Sequence, residues 1–131
     1  MFGQNVNIPD ANFKAYLVGN TAINTNGDAE IQLSEANSFS GDISCYNMGI
    51  ADLTGIEDFT ALTELNCGDN QLTSLDVSQN TALTYLNCSE NQLTSLDISQ
   101  NLMINYLYCI DNQLINLNIS NNLFLKGLAL N

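Results

Sequence analysis

The chain has 131 residues and carries 14 acidic against 2 basic side chains, which gives a net charge of −12. Nucleic acids and anionic membrane surfaces are bound through clustered Lys and Arg, so this balance argues against both kinds of partner. The sequence contains no His, which excludes His-based catalytic triads and mixed Cys/His zinc sites. No apolar run reaches the roughly 20 residues that a membrane-spanning helix needs, so we expect no membrane insertion.

The N-terminal part of the chain divides into a short leader and a predicted cap. Residues 1–8 begin with Met-Phe-Gly-Gln, which is too short for a signal peptide, and we interpret them as the remnant of a leader or of a recombinant sequence. Residues 9–40 are predicted to form a helical cap. Pro9 and Asp10 stand in the first turn of its short amphipathic helix, and Gly19 and Asn20 end that helix.

An acidic segment within the cap resembles a calcium-binding loop. Its candidate ligands carry side-chain oxygens at alternating positions and end with a Glu: Asn24, Asn26, Asp28, Glu30 and Glu35. The segment departs from the usual pattern, because it opens with Asn rather than Asp and has Ala29 where Gly makes the sharp turn. Two interpretations are therefore open: a calcium site, or an acidic turn whose side chains satisfy local backbone groups. We predict no other cofactor.

Residues 41–131 repeat with a period of 21 residues. The same step links whole columns of the sequence: Leu65, Leu86, Leu107 and Leu128; Cys67, Cys88 and Cys109; Asn70, Asn91 and Asn112; Asn80, Asn101 and Asn122. An earlier, looser copy lies 22 residues upstream, where Cys45 matches Cys67. Each unit reads L-x-x-L-x-C-x-x-N-x-L-x-x-L, which predicts one short strand and one return segment per copy.

This unit resembles the leucine-rich repeat. The segment 50–56 is similar to the 22-residue repeat of bacterial internalins, and the later Ser-Leu-Asp-Val/Ile-Ser copies resemble secreted repeat proteins of flavobacteria and their Bacteroidetes relatives. The resemblance implies an α/β solenoid, a short horseshoe with parallel β-strands on its concave face and a small helical N-terminal cap. It also implies an extracellular binding scaffold, so we expect a secreted or cell-surface protein.

Two columns of the repeat are predicted to face the core, because alternate residues of a strand point to opposite sides. The first contains Cys45, Cys67, Cys88 and Cys109, which we expect to be buried free thiols; disulfides between neighbouring copies are the alternative. The second contains Asn70, Asn91 and Asn112. An unpaired buried amide costs about 1–3 kcal/mol, so we predict that these residues form a ladder bonded to the backbone of neighbouring turns.

The side chains that face outward from the strands are candidate ligand-binding groups. They are Tyr46, Glu64, Asn66, Tyr85, Asn87, Tyr106 and Tyr108. Tyr buries a large area at a small entropic cost and offers a hydroxyl group, so the three tyrosines of the last two of these strands predict an interaction patch. The alternative is that they reflect the strand propensity of Tyr. Asp69, Glu90 and Asp111 form an acidic column at the strand exits.

These features predict a non-enzymatic recognition module that binds a protein ligand through its concave face. The carboxylates lie in repeat columns and form no catalytic constellation. One alternative is a carbohydrate-binding or adhesive surface module, and another is a structural or self-associating repeat array. The last interpretation rests on the truncated final copy, where Phe124, Leu128 and Leu130 predict an uncapped apolar edge. Either the chain is a fragment of a longer repeat array, or a second chain covers this edge.

Overall fold

The computed structural model describes residues 3–131. A 5-stranded parallel sheet runs through it in chain order, with β1 (Asp42–Ser44), β2 (Glu64–Asn66), β3 (Tyr85–Asn87), β4 (Tyr106–Tyr108) and β5 (Gly127–Ala129). Helices α1 (Ala11–Gly19) and α2 (Leu33–Ser38) precede the sheet, and a short 3-10 helix, Ile56–Asp58, follows β1. This order confirms the predicted parallel-strand solenoid. Within the described residues, no helix is long and apolar enough to span a bilayer.

The register of the sheet is the register of the repeat. The central residues of the strands pair with one another from β1 to β5: Ile43, Leu65, Leu86, Leu107 and Leu128. The first four are completely buried, whereas Leu128 in the edge strand is 41% exposed. Leu72 and Leu93 from the return segments close the core on the opposite side and are also buried. One turn alone cannot enclose these side chains, so their burial requires the turns to stack.

Asp10 starts the first helix and also fastens the cap to the repeats. One carboxylate oxygen, Oδ1, accepts the backbone N–H groups of Asn12 and Phe13, each at 3.0 Å. The other oxygen accepts those of Ala51 and Asp52 at 2.9 and 3.2 Å, on the first return segment. Burial pushes the pKa of Asp10 upward, but these four donors outweigh it and hold the pKa below its ordinary value.

The folded cap begins before the boundary predicted at residue 9. The N–H of Val6 donates to the carbonyl of Ile31 at 2.8 Å, and the N–H of Leu33 donates to the carbonyl of Gln4 at 2.7 Å. Val6 and Ile8 are buried. This extended segment is part of the cap, which corrects the division of the chain at residue 9; two apolar residues at alternating positions are its sequence signal. The remaining leader residues, Met1 and Phe2, lie outside the described residues.

Candidate binding surface

The strand face consists of the side chains that alternate with the buried central residue of each strand. In β3, for example, Leu86 is completely buried, while Tyr85 and Asn87 on either side of it are half-buried. In β4, Tyr106 is exposed and Tyr108 half-buried. The sequence therefore assigned the inward and outward positions correctly, and parallel pairing aligns the outward side chains of successive turns in columns.

The tyrosines of β3 and β4 are near neighbours on the strand face, since Tyr85 pairs with Tyr106 in the register, but their rings are turned in different directions. Tyr85 and Tyr108 lie diagonally across β3 and β4, with ring centroids 5.7 Å apart and ring planes at 48°. Tyr106 instead packs over Gly127 of β5, where an added Cβ would lie 2.6 Å from its Cδ1. Tyr46 packs over Gly68 in the same manner, at 3.2 Å. The predicted group of three is thus a pair of rings, with Tyr106 turned toward the next strand.

The pair of rings lines a shallow groove of about 360 Å³ that runs to the exits of β3 and β4. Its other walls include Asn87 and the carboxylates of Glu90 and Asp111, both of which are exposed. We call this cavity the tyrosine groove. It includes three of the predicted ligand-binding residues, and the others lie outside it: Tyr46, Glu64, Asn66 and Tyr106.

The strand exits share a backbone conformation that the sequence analysis missed. In the third strand, the side-chain Oδ1 of Asn87 accepts the N–H of Ser89 at 3.0 Å, and the next residue, Glu90, has φ of +56°. The equivalent residues of other turns are also left-handed: Asn47, Asp69 and Asp111, with φ between 51° and 54°. Asn and Asp tolerate this region, so their recurrence at one repeat position was the available signal. Glu tolerates it less well.

The predicted asparagine ladder bonds neighbouring turns in the structure. The Nδ2 of Asn91 donates to the carbonyls of Cys67, Cys88 and Ser89 at 3.0 to 3.1 Å. Its Oδ1 accepts the N–H of Leu72 at 2.9 Å. The equivalent amides one turn earlier and one turn later make bonds of the same kinds: Asn70 and Asn112. The ladder fixes the distance between turns and therefore the spacing of the strand face.

A second asparagine ladder lies on the opposite side of the core. Asn80, Asn101 and Asn122 are buried, and the Nδ2 of Asn101 donates to the carbonyls of Val77 and Asn80 at 2.8 and 2.9 Å. In all three amides the Oδ1 atom is buried and has no partner among the described residues. The sequence revealed this column but not its role, although a polar residue recurring at a core-facing position was the signal.

The four cysteines stack in one column, and all of them are free and buried. Burial raises the pKa of the Cys45 and Cys88 thiols to about 12 and raises that of Cys67 well above its ordinary value. Burial also raises the pKa of Cys109. The thiolate is the reactive form of cysteine, so these side chains act as small apolar groups at neutral pH.

The acidic segment of the cap makes the hydrogen bonds of a turn. One oxygen of Glu35 accepts the N–H of Thr25 at 2.8 Å, and the other accepts the N–H of Gln32 at 3.0 Å. Glu30 pairs with Lys14 at 2.8 Å. The other candidate calcium ligands also bond within the segment: Asn24, Asn26 and Asp28. No group of three or more His, Cys, Asp or Glu residues within 3–131 could hold a metal ion. The structure thus shows the hydrogen bonds of the acidic turn, and the calcium site stays a prediction.

Stacked turns, parallel strands and inward cysteine and asparagine columns define a leucine-rich repeat solenoid. Over 73 residues, or 55% of the chain, the sequence is 42% identical to internalin J of Listeria monocytogenes, of which it covers 8%. The solved functional domain of that protein includes a cysteine ladder. It matches 95% of this chain with a TM-score of 0.81 and 38% identity, and the match covers 29% of that domain.

A further internalin of Listeria monocytogenes, InlF, shares the fold with a TM-score of 0.77 at 20% sequence identity. The match covers 98% of this chain and 46% of the InlF chain. No family model matches the chain. Because the chain spans less than a third of internalin J or its solved domain, the likeness concerns the repeats and their cap. The resemblance to flavobacterial repeat proteins stays a prediction.

Proposed function

We propose that the chain is a non-enzymatic recognition module that binds a protein ligand through the strand face. The tyrosine groove is the observation that carries this proposal. Two half-buried aromatic rings, backed by a rigid sheet, offer a large contact area that loses little entropy on binding. Solenoids commonly bind through such extended faces, because a stack of turns presents a continuous surface. Secretion or display at the cell surface is part of the proposal, on the likeness to internalins.

A protein array and two matched double variants test this function. An array of extracellular domains is probed with the labelled chain, with Tyr85→Ala/Tyr108→Ala, and with Thr73→Ala/Thr94→Ala. The threonines are exposed and lie on the return segments. We expect a discrete ligand whose binding is lost in the tyrosine variant and kept in the threonine variant. Equal binding by all three proteins, or equal loss in both variants, would overturn the proposal.

The edge of β5 is a second candidate surface. This strand has a neighbour on one side only, and apolar side chains around it are exposed: Phe124, Leu128 and Leu130, at 60%, 41% and 51%. Pairing of two copies along this edge would cover both the apolar groups and the free backbone. Light scattering on a sizing column across a tenfold concentration range tests this interface. Growth in mass that Leu128→Glu abolishes supports self-association, and a constant monomer mass refutes it.

A further inference from the structure

We infer that the tyrosine groove recognises arginine side chains, so that the protein ligand docks on it through a basic, extended segment. The inference rests on the proposed function, since it names the chemistry of the ligand at the same surface. It depends on three properties that the groove combines: paired aromatic rings, two exposed carboxylates beside them, and no Lys or Arg among its lining residues.

The rings supply the first part of the site. The ring centroids of Tyr85 and Tyr108 are 5.7 Å apart, so the two rings present one aromatic surface rather than two separate ones. The face of a tyrosine ring carries partial negative charge and attracts cations. A guanidinium group is planar and weakly hydrated, and it stacks on such a surface more readily than an ammonium group does. The aromatic component therefore favours Arg over Lys.

The carboxylates supply the second part. Glu90 and Asp111 stand at equivalent positions of adjacent turns, which places their backbones about 4.8 Å apart, one strand spacing. Their left-handed backbone belongs to the repeated strand exit, so both side chains extend from defined backbone positions. The one ion pair among the described residues joins Lys14 to Glu30 in the cap, which leaves both groove carboxylates without an internal cation. A guanidinium group on the rings can donate hydrogen bonds to either of them.

The charge of the whole face agrees with a basic ligand. Five carboxylates lie on the strand face or at its exits, in successive turns: Asp42, Glu64, Asp69, Glu90 and Asp111. With a net charge of −12 the chain repels acidic partners and attracts basic ones over long distances. Long-range attraction alone would not select the groove, so the test must separate it from the local contacts.

Short peptides provide that separation. Tetra-arginine, tetra-lysine and tetra-citrulline are titrated by calorimetry at about 0.15 M salt, where charges more than about 8 Å apart are largely screened. Citrulline has the shape of arginine without its charge. We expect tetra-arginine to bind at least about threefold more tightly than tetra-lysine, and tetra-citrulline to show no measurable binding. Equal binding of arginine and citrulline peptides, or no binding of arginine at millimolar concentration, would overturn the inference.

Two pairs of substitutions locate the binding. Glu90→Gln/Asp111→Asn removes two charges from the groove and should weaken tetra-arginine binding about tenfold. Asp76→Asn/Asp97→Asn removes two charges from exposed residues of the return segments and should change it less than about twofold. Equal weakening by both pairs means non-specific attraction to a polyanion and refutes the site.

Aromatic variants test the stacking contribution. Tyr85→Leu/Tyr108→Leu should weaken binding at least about threefold, whereas Tyr85→Phe/Tyr108→Phe, which keeps both rings, should retain it. Thermal unfolding of each variant establishes that it is folded. A neutral oligosaccharide provides a further comparison. If it binds the groove equally well in wild type and in Glu90→Gln/Asp111→Asn, and tetra-arginine does not bind, then the ligand is a glycan and the inference is wrong.

The array separates this inference from the proposed function. A protein ligand that depends on the two tyrosines but is indifferent to Glu90→Gln/Asp111→Asn leaves the proposed function in place and refutes arginine recognition. A ligand that is indifferent to the tyrosines refutes the proposed function itself.

Discussion

Replacement of Asn91 by Ala tests how the stacked turns are held together. The structure allows the cost to be worked out bond by bond. Each carbonyl that loses the Asn91 amide keeps another donor: Asn70 for Cys67, Asn112 for Cys88 and the N–H of Asp69 for Ser89. The N–H of Leu72 has no other acceptor, because the Oδ1 of Asn91 is its only partner among the described residues.

An unsatisfied buried N–H costs about 1–3 kcal/mol, and the lost hydrogen bonds and the small cavity add to this. We therefore expect Asn91→Ala to lower the free energy of unfolding by about 2–4 kcal/mol and the melting temperature by roughly 10 °C. Gln92→Ala is the neighbouring control, since Gln92 is exposed and the backbone bond from its N–H to Leu72 is kept. It should change stability by less than about 0.5 kcal/mol.

The second ladder sharpens this reasoning. Asn101 is more deeply buried than Asn91, yet Asn101→Ala strands no backbone group, since Val77 and Asn80 keep the N–H donors of Asn80 and Leu83. It also removes a buried oxygen that has no partner among the described residues. We expect a cost of about 1 kcal/mol, below that of Asn91→Ala. Urea unfolding followed by circular dichroism measures all three variants. Equal midpoints for Asn91→Ala and Gln92→Ala, or a larger loss for Asn101→Ala, would refute the bond-by-bond account.

Four further outcomes follow from the structure. Asp10→Ala should cost about 1–2 kcal/mol at pH 7. Because the folded pKa of Asp10 lies below its unfolded value of about 3.9, this contribution is complete above about pH 4 and is lost as the pH falls through the folded pKa. The urea midpoints of the wild type and the variant should therefore converge in acid. A difference that persists there contradicts the stabilising role of the Asp10 carboxylate. Glu90→Asn should raise stability by about 0.5–1 kcal/mol by relieving the left-handed backbone, whereas Glu90→Gln, which keeps the strain, should not; the reverse order in thermal unfolding rejects the strain argument. The melting temperature should be the same in about 1 mM calcium as in chelator, because the oxygens of Glu35 are engaged in the turn. A rise of several degrees in calcium would instead support the calcium site. After denaturation all four thiols should react with an alkylating reagent, and mass spectrometry counts the modified residues; fewer than four would indicate disulfides. In the folded protein Cys109, which is 2% exposed, should react first.

The repeat period made the solenoid predictable. A 21-residue step that carries apolar, Cys and Asn columns together leaves little choice of register, and the structure pairs Leu65 with Leu86 and Leu107 as the step requires. Inward and outward positions followed from strand alternation. The hydrogen bonds of Asn91 to its neighbouring turns could also be anticipated, because a buried amide must be satisfied.

The details of the strand face could not be read from the period. A repeat gives the column of each tyrosine but not its rotamer, so the sequence could not show that Tyr106 packs over Gly127 while Tyr85 and Tyr108 meet. Gly127 determines where the Tyr106 ring lies, because a side chain at position 127 would occupy the same space as the ring. The cap was harder still, since residues before Pro9 have no repeat to place them and are fixed by contacts with Ile31 and Leu33.

The proposed function requires that the ligand bind the strand face. Amide hydrogen exchange, measured with and without a protein ligand obtained from the array, tests it most directly. Binding on the strand face should add protection in residues 85–90 and 106–111 and none in the return segments 73–79 and 94–100. Protection confined to the return segments, with the exchange of the strand segments unchanged, would contradict it.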